Sequence, residues 1–288
     1  MNRLARGAIL AVTAFALVAR ADEKPTNIHT LKSDLTVPEV TDDEPAAGRR
    51  VRVTLPDHKD TKLFHVLYLP PDWKPGAKLP VIAEYPGNGG FENKLGDRST
   101  GRVEDCKLGY GIGGGRGFVW VCLPFVDPKA KAHALKWWGD PDATATYCRA
   151  AVAQACKEFG GDPDAVILAG FSRGAIACGY IGLRDDATAK LWKAFIVHSH
   201  YDGVRRWNYP EDDPESARKR LARLNGRPQF VTHEASVEDT RKYLAASKVE
   251  ATLLALPYPN HTDEWVLKDI PERAELRKWL ADVLAKKN

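Results

Sequence analysis

Several things are missing from this sequence, and each absence removes a class of function. No internal stretch is long and apolar enough to cross a membrane. There is no basic run of the kind that follows a nucleic-acid backbone, so no nucleic-acid partner is expected. No internal repeat is present. Metal-ligand spacing is absent too: His198 and His200 form an HxH pair, but no third ligand stands at a suitable distance in the chain. Gly109-x-Gly111-x-x-Gly114 has the letters of a dinucleotide fingerprint without its context. It precedes a strand instead of following one and opening a helix, so no nucleotide site is expected.

Cysteines are few. Five in 288 residues leave at least one unpaired, whatever the compartment. Cys122 in an apolar strand and Cys178 in a helix read as buried thiols. Cys148 and Cys156 share one helix, about 12 Å apart along its axis, which is too far to bond. Cys106 lies in a loop, and a Cys106–Cys148 disulfide is the expectation.

What is present begins with a processing signal. Arg3 and Arg6 precede an apolar run from Ala8 to Ala19, and Ala19-Arg20-Ala21 supplies a small-x-small cleavage site. Residues 1–21 therefore read as a signal peptide, with a secreted or periplasmic product and no membrane association after cleavage. Cleavage takes the formal charge from +4 to +1, because Arg3, Arg6 and Arg20 leave and no acid does. Residues 22–48, rich in Pro, Thr, Asp and Glu, read as an extended N-terminal segment, and 49–288 as one domain. Overall composition is ordinary for a globular protein, at 44% apolar and 28% charged.

Within that domain, two strands at 50–54 and 63–69 form a hairpin, and further strands fall at 79–85, 118–122, 166–170, 194–197, 229–234 and 251–256. Helical patterns lie between them from residue 80 onward, which calls for a mostly parallel eight-stranded sheet with helices on both faces. The most informative stretch is Val166-Ile167-Leu168-Ala169-Gly170-Phe171-Ser172-Arg173-Gly174. Gly170-x-Ser172-x-Gly174 at a strand-to-helix junction fits a nucleophile elbow. The turn is tight enough that side chains two positions either side of the serine would strike backbone, so glycine belongs there. Ser172 then projects at the helix N-terminus, where the Arg173 amide and the helix dipole stabilise an oxyanion.

Three other places complete a site. Pro86-Gly87-Asn88-Gly89-Gly90 ends a strand, and its glycines let the backbone approach a substrate; Asn88 is the preferred second amide donor, with Gly89 next. His261 lies in the loop between the last strand and the last helix. His200 and Tyr201, after the strand at 194–197, should reach the C-terminal edge of the sheet, and Trp138 is a further candidate wall of the pocket. No metal or cofactor is needed.

This order of elements resembles the α/β-hydrolase fold over residues 49–286, most of all secreted feruloyl and acetylxylan esterases and polyhydroxybutyrate-depolymerase-like proteins. The resemblance implies a serine esterase with Ser172 as nucleophile and His261 as general base. It also implies an acid after the strand at 229–234. Relatives carry His-Gly-x-x-Asp there, whereas this chain has His233-Glu234-Ala235-Ser236-Val237-Glu238-Asp239. Position favours Glu234, with Asp202 and Asp239 as alternatives. The segment 203–226 is short for a cap, which implies an open cleft able to take bulky or polymer-borne esters. The same machinery in a serine peptidase or aminoacyl hydrolase, and a binding protein on an inactive scaffold, are the alternative functions.

Overall fold

The computed structural model describes residues 25–286, so the signal-peptide expectation lies outside the described residues. One nine-stranded sheet carries the chain. Its strands are β1 (Val40–Thr41), β2 (Arg50–Val53), β3 (His65–Tyr68), β4 (Leu79–Tyr85), β5 (Val119–Cys122), β6 (Gly161–Phe171), β7 (Ala194–His198), β8 (Gln229–Glu234) and β9 (Thr252–Leu256). They lie in the order β1-β2-β3-β5-β4-β6-β7-β8-β9. From β5 to β9 every neighbouring pair is parallel, and only β3 pairs antiparallel with both of its neighbours. The expected eight strands are all present. The ninth, β1, comes from the segment read as extended and N-terminal, and two residues are too short for any periodicity to betray them.

Helices cover both faces. They are α1 (Leu108–Gly113), α2 (Pro141–Phe159), α3 (Arg173–Tyr180), α4 (Asp186–Ala189), α5 (Pro214–Leu221), α6 (Glu238–Ala246) and α7 (Pro271–Ala285). Alternation along the strands divides the core in two. Val119, Val121, Val166 and Leu168 face α2 and α3 on one side. Trp120, Cys122, Ile167 and Ala169 face α1 and α7 on the other. Helix α2 shows how local signals set an end: Asp140 accepts from the amides of Asp142 and Ala143, Pro141 takes the first helical position, and Gly160 closes the helix in the left-handed region.

That division overturns the expected disulfide. Cys148 packs on the α2 side and Cys106 on the α1 side, with the sheet between them. All five cysteines are free thiols, and Cys106 instead lies close to Cys122.

The N-terminal segment is not a free tether. Ile28 is fully buried, Asp34 forms two 2.7 Å contacts with Arg273, and the Lys268 ammonium donates to the Leu31 carbonyl and Ser33 Oγ. Residues 27–35 are strapped across the α7 face.

Candidate active site

The elbow is built as its letters require. Strand β6 ends at Phe171, and Ser172 is held at φ 55°, ψ −114° before α3 begins. Such backbone costs roughly 1–3 kcal/mol and persists only where the surroundings enforce it. Here the Ser172 amide donates to the His198 carbonyl at 2.9 Å. A Cβ at Gly170 would sit 2.1 Å from the Gly174 carbonyl oxygen, and one at Gly174 would sit 2.0 Å from that of Tyr85. Neither glycine can be replaced without moving backbone.

Three elements bring the expected trio together. His261 Nε2 lies 3.0 Å from Ser172 Oγ, and His261 Nδ1 lies 2.6 Å from Glu234 Oε1 at the end of β8. The imidazole packs between Phe91 and Phe171, each with its ring centre 4.9 Å away. Burial pushes the Glu234 carboxyl up, but the His261 hydrogen bond and the charges of His198, His261 and His233 outweigh it, bringing it down to about 2. It is therefore an anion at neutral pH, able to hold a protonated imidazole.

Sequence reasoning missed the residues that hold this trio. Ser199 Oγ donates to Glu234 Oε2 at 2.6 Å, from a backbone at φ 81°. Asp97, fully buried, accepts from the His261 amide at 2.8 Å and from Asn260 Nδ2 at 2.8 Å. Asn260 in turn accepts from the Ile28 amide, and His29 Nε2 lies 2.8 Å from Asp97. The N-terminal strap thus braces the loop that carries His261. His198, buried, faces the Thr232 hydroxyl with Nδ1 and the Thr262 carbonyl with Nε2, each at 2.8 Å. Both ring nitrogens of His198 are thereby engaged within the protein.

Asn88 and Arg173 line the cleft that holds Ser172, and each brings a backbone amide. That of Arg173 opens α3, where first-turn N–H groups have no helical partner. The Asn88 amide enters no hydrogen bond among the described residues, while that of Gly89 already donates to the Leu135 carbonyl at 2.8 Å. Asn88 is the donor left available.

The cleft over Ser172 has a volume of about 390 Å³ and includes Phe91, Trp137, Ile176, His200 and Trp207 among its walls. Of the connection 91–117 only Phe91 reaches it, so that segment does not seal the serine. His200 lines the cleft as expected. Burial, then the charge of His261, lowers this ring to about 4, so it is neutral at working pH.

Two expected walls are elsewhere. Trp138 is buried against Phe125, Tyr180 and Tyr209, because Trp137 turns the chain at φ 54° and itself faces the cleft. Tyr201 is buried, donating its hydroxyl to Gln229 at 2.6 Å, and does not reach Ser172.

The alternative acids are also elsewhere. Asp202 is paired through both oxygens with Arg220, at 2.8 and 3.0 Å, and Asp239 is exposed on α6. Among the described residues one cluster has metal-ligand composition, Glu84 with Cys106 and Cys122. Its carboxylate accepts from the amides of Lys107, Leu108 and Gly109 and from the Trp120 indole, so its lone pairs are already directed at donors. A larger cavity of about 640 Å³ lies at the opposite, N-terminal edge of the sheet, near Arg227, Lys248 and Trp279, away from this chemistry.

Sheet order, elbow and the loop after β9 define the α/β-hydrolase fold. The chain is similar to a structure from work on two fungal esterases of Rhizomucor miehei, with 15% identity, TM-score 0.52, and 77% of this chain and 79% of that one covered. It is similar also to an acetyl ester-xyloside bifunctional hydrolase from Caldicellulosiruptor lactoaceticus, with 13% identity, TM-score 0.53, and 83% and 98% covered. A putative dipeptidyl aminopeptidase IV from Bacteroides ovatus matches at 13% identity and TM-score 0.50, over 81% of this chain and 35% of that one. At these identities the likeness concerns the fold. No protein-family model matches the chain, and no curated protein matches it by sequence.

Proposed function

We propose that this chain is an exported serine esterase. The observation that carries the reading is the continuous path from Ser172 Oγ to His261 Nε2 at 3.0 Å and from His261 Nδ1 to Glu234 Oε1 at 2.6 Å, in a cleft that Asn88 and Arg173 also line. Ser172 Oγ attacks the acyl carbon while His261 Nε2 takes its proton. The carbonyl oxygen becomes an oxyanion, held by the amides of Arg173 and Asn88. As the tetrahedral intermediate collapses, His261 returns the proton to the leaving alcohol, and an acyl-Ser172 ester is left. Water, deprotonated by His261, adds to the acyl carbon, and as this second intermediate collapses the bond to Oγ breaks, His261 returns the proton to Ser172 Oγ and the acid leaves. Glu234 stays ionised throughout and keeps the imidazole in the correct tautomer.

The substrate proposed is an uncharged ester bearing a ring, such as an aryl or glycosyl group carried on a polymer. Phe91, Trp137 and Trp207 give the cleft flat apolar walls, and its one carboxylate, Glu234, is already committed to His261 and Ser199. The same point weighs against a peptidase that recognises a free amino terminus, since no second acid lines the cleft to receive it. Export rests on the arginines and apolar run before Ala21.

The test compares short-chain p-nitrophenyl esters with aminoacyl amides, alongside fluorophosphonate labelling. Hydrolysis of the esters and labelling that vanishes in Ser172→Ala are expected. Amide cleavage faster than ester cleavage would favour the peptidase, and absence of labelling would favour a binding protein.

A further inference from the structure

Arg173 supplies more than its backbone amide. Its side chain is almost fully buried, and no carboxylate among the described residues pairs with it. The guanidinium carbon lies over the Phe125 ring, 4.0 Å from its centre. Its Nη1 donates to the carbonyls of Ala134, at 3.1 Å, and Trp137, and its Nη2 reaches that of Gly101 at 3.5 Å. Burying an unpaired cation is expensive, and carbonyl dipoles offset only part of that cost.

Two of the carbonyls it holds, those of Ala134 and Trp137, belong to a segment fastened to the oxyanion loop. The Trp137 amide donates to Asn88 Oδ1 at 2.7 Å, and the Gly89 amide donates to the Leu135 carbonyl at 2.8 Å. Contact there is close: a Cβ at Gly89 would lie 2.5 Å from the Leu135 oxygen. Trp137 itself sits at φ 54°, a conformation a tryptophan does not choose unaided. Residues 134–137 thus form a bridge, gripped by the elbow's arginine at the Ala134 and Trp137 carbonyls and by the Pro86–Gly90 loop at the Leu135 carbonyl and the Trp137 amide.

We propose that the Arg173 and Asn88 side chains are positioning residues for the oxyanion site. Through the Trp137 peptide they fix the Asn88 backbone amide relative to the Arg173 amide. A planar guanidinium suits the task because one rigid group meets several carbonyls at set angles, which a lysine cannot do. The gain is pre-organisation: both donors stand in place before charge develops, so no reorganisation is needed at the transition state. The inference rests on the esterase reading above.

The experiment measures kcat and KM for a p-nitrophenyl ester in Asn88→Ala, Arg173→Lys and the double variant, with affinity for a boronic acid that adds to Ser172. Asn88→Ala keeps the backbone amide and removes only the side-chain tether to Trp137. Each single variant should lower kcat about 10- to 100-fold with KM within about twofold, and boronate affinity should fall in parallel. The double variant should be no worse than the poorer single one, because both cut the same bridge. Wild-type kcat in Asn88→Ala overturns the proposal, as do losses that multiply in the double variant. Full activity in Arg173→Lys also overturns it, by showing that charge alone suffices. If Arg173→Lys does not fold, Asn88→Ala and its boronate affinity decide. Wild-type protein that neither labels at Ser172 nor cleaves esters overturns the esterase reading itself, a result distinct from any of these.

Discussion

Two carboxylates lie near the C-terminal ends of neighbouring strands, Glu234 closing β8 and Asp202 just beyond β7. Both are largely shielded from water, and both face groups that can be cationic. Their partners separate them. Asp202 Oδ2 meets Arg220 Nε at 2.8 Å, and its Oδ1 takes Arg220 Nη2 and the Tyr209 hydroxyl at 3.0 and 3.1 Å. Every partner is a fixed donor, so the cluster can only anchor α5 and the short segment around it. Glu234 faces Ser199 with one oxygen and His261 with the other, and an imidazole can gain or lose a proton. Burial of an acid therefore says little by itself about catalysis; the titratable or fixed nature of the donor opposite decides its use.

Exchanging each acid for its amide should separate the two roles. Glu234→Gln should lower kcat by about 10²- to 10⁴-fold, since the amide can neither fix the tautomer nor stabilise the imidazolium. Its melting temperature should move by no more than a few degrees, as the shape is retained. Asp202→Asn should do the reverse. Leaving Arg220 buried without its anion should cost about 3–5 kcal/mol of stability, read from denaturant unfolding, while protein that stays folded keeps its kcat. A stable but inactive Asp202→Asn protein would dissolve the contrast.

Legibility followed sequence distance. The elbow was readable because its strand, two glycines, serine and helix are contiguous, and the clashes awaiting a Cβ at Gly170 or Gly174 come from that packing. Glu234 was readable by position, as the last residue of the strand before the one that leads to His261. Ser199 and Asp97 were not: the first meets Glu234 across 35 positions and the second meets His261 across 164, so no local pattern records them. Trp138 in place of Trp137 is a different failure. Either indole could face the cleft until the backbone turn at Trp137 is known, and that turn depends on Asn88 and Arg173. The missed strap at 27–35 has the same origin, since Asn27 and Ile28 find their partner at Asn260.

Ser199 sharpens the contrast from the other side, because it is the donor that Glu234 has in addition to the imidazole. Ser199→Ala removes a short hydrogen bond to an anion and leaves the backbone as it was. Such bonds contribute about 1.5–3 kcal/mol, but part returns as the carboxylate turns toward His261 or water. The expected loss is about tenfold in kcat, with KM unchanged. Activity equal to wild type would mean that Glu234 is held well enough without Ser199.

The smallest effect is the pH dependence that Glu234 brings to stability. A carboxyl whose folded pKa lies below its unfolded value stabilises the fold above the unfolded value, and that stabilisation is lost as pH falls through the folded one. For Glu234 the window runs from 4.5 down to about 2. Its depth is modest, about 1 kcal/mol, because part of the shift comes from histidines that gain charge only in acid. His198, for instance, is lowered by burial to about 4. Wild type and Glu234→Gln should therefore differ slightly in melting temperature at pH 6, and the gap should close as the pH is brought toward 2.5. A gap that stays constant, or widens in acid, would mean that the carboxylate is not held as an anion by His261. The distinction from Asp202, whose partner is an arginine charged at every pH in this range, would then rest on geometry alone.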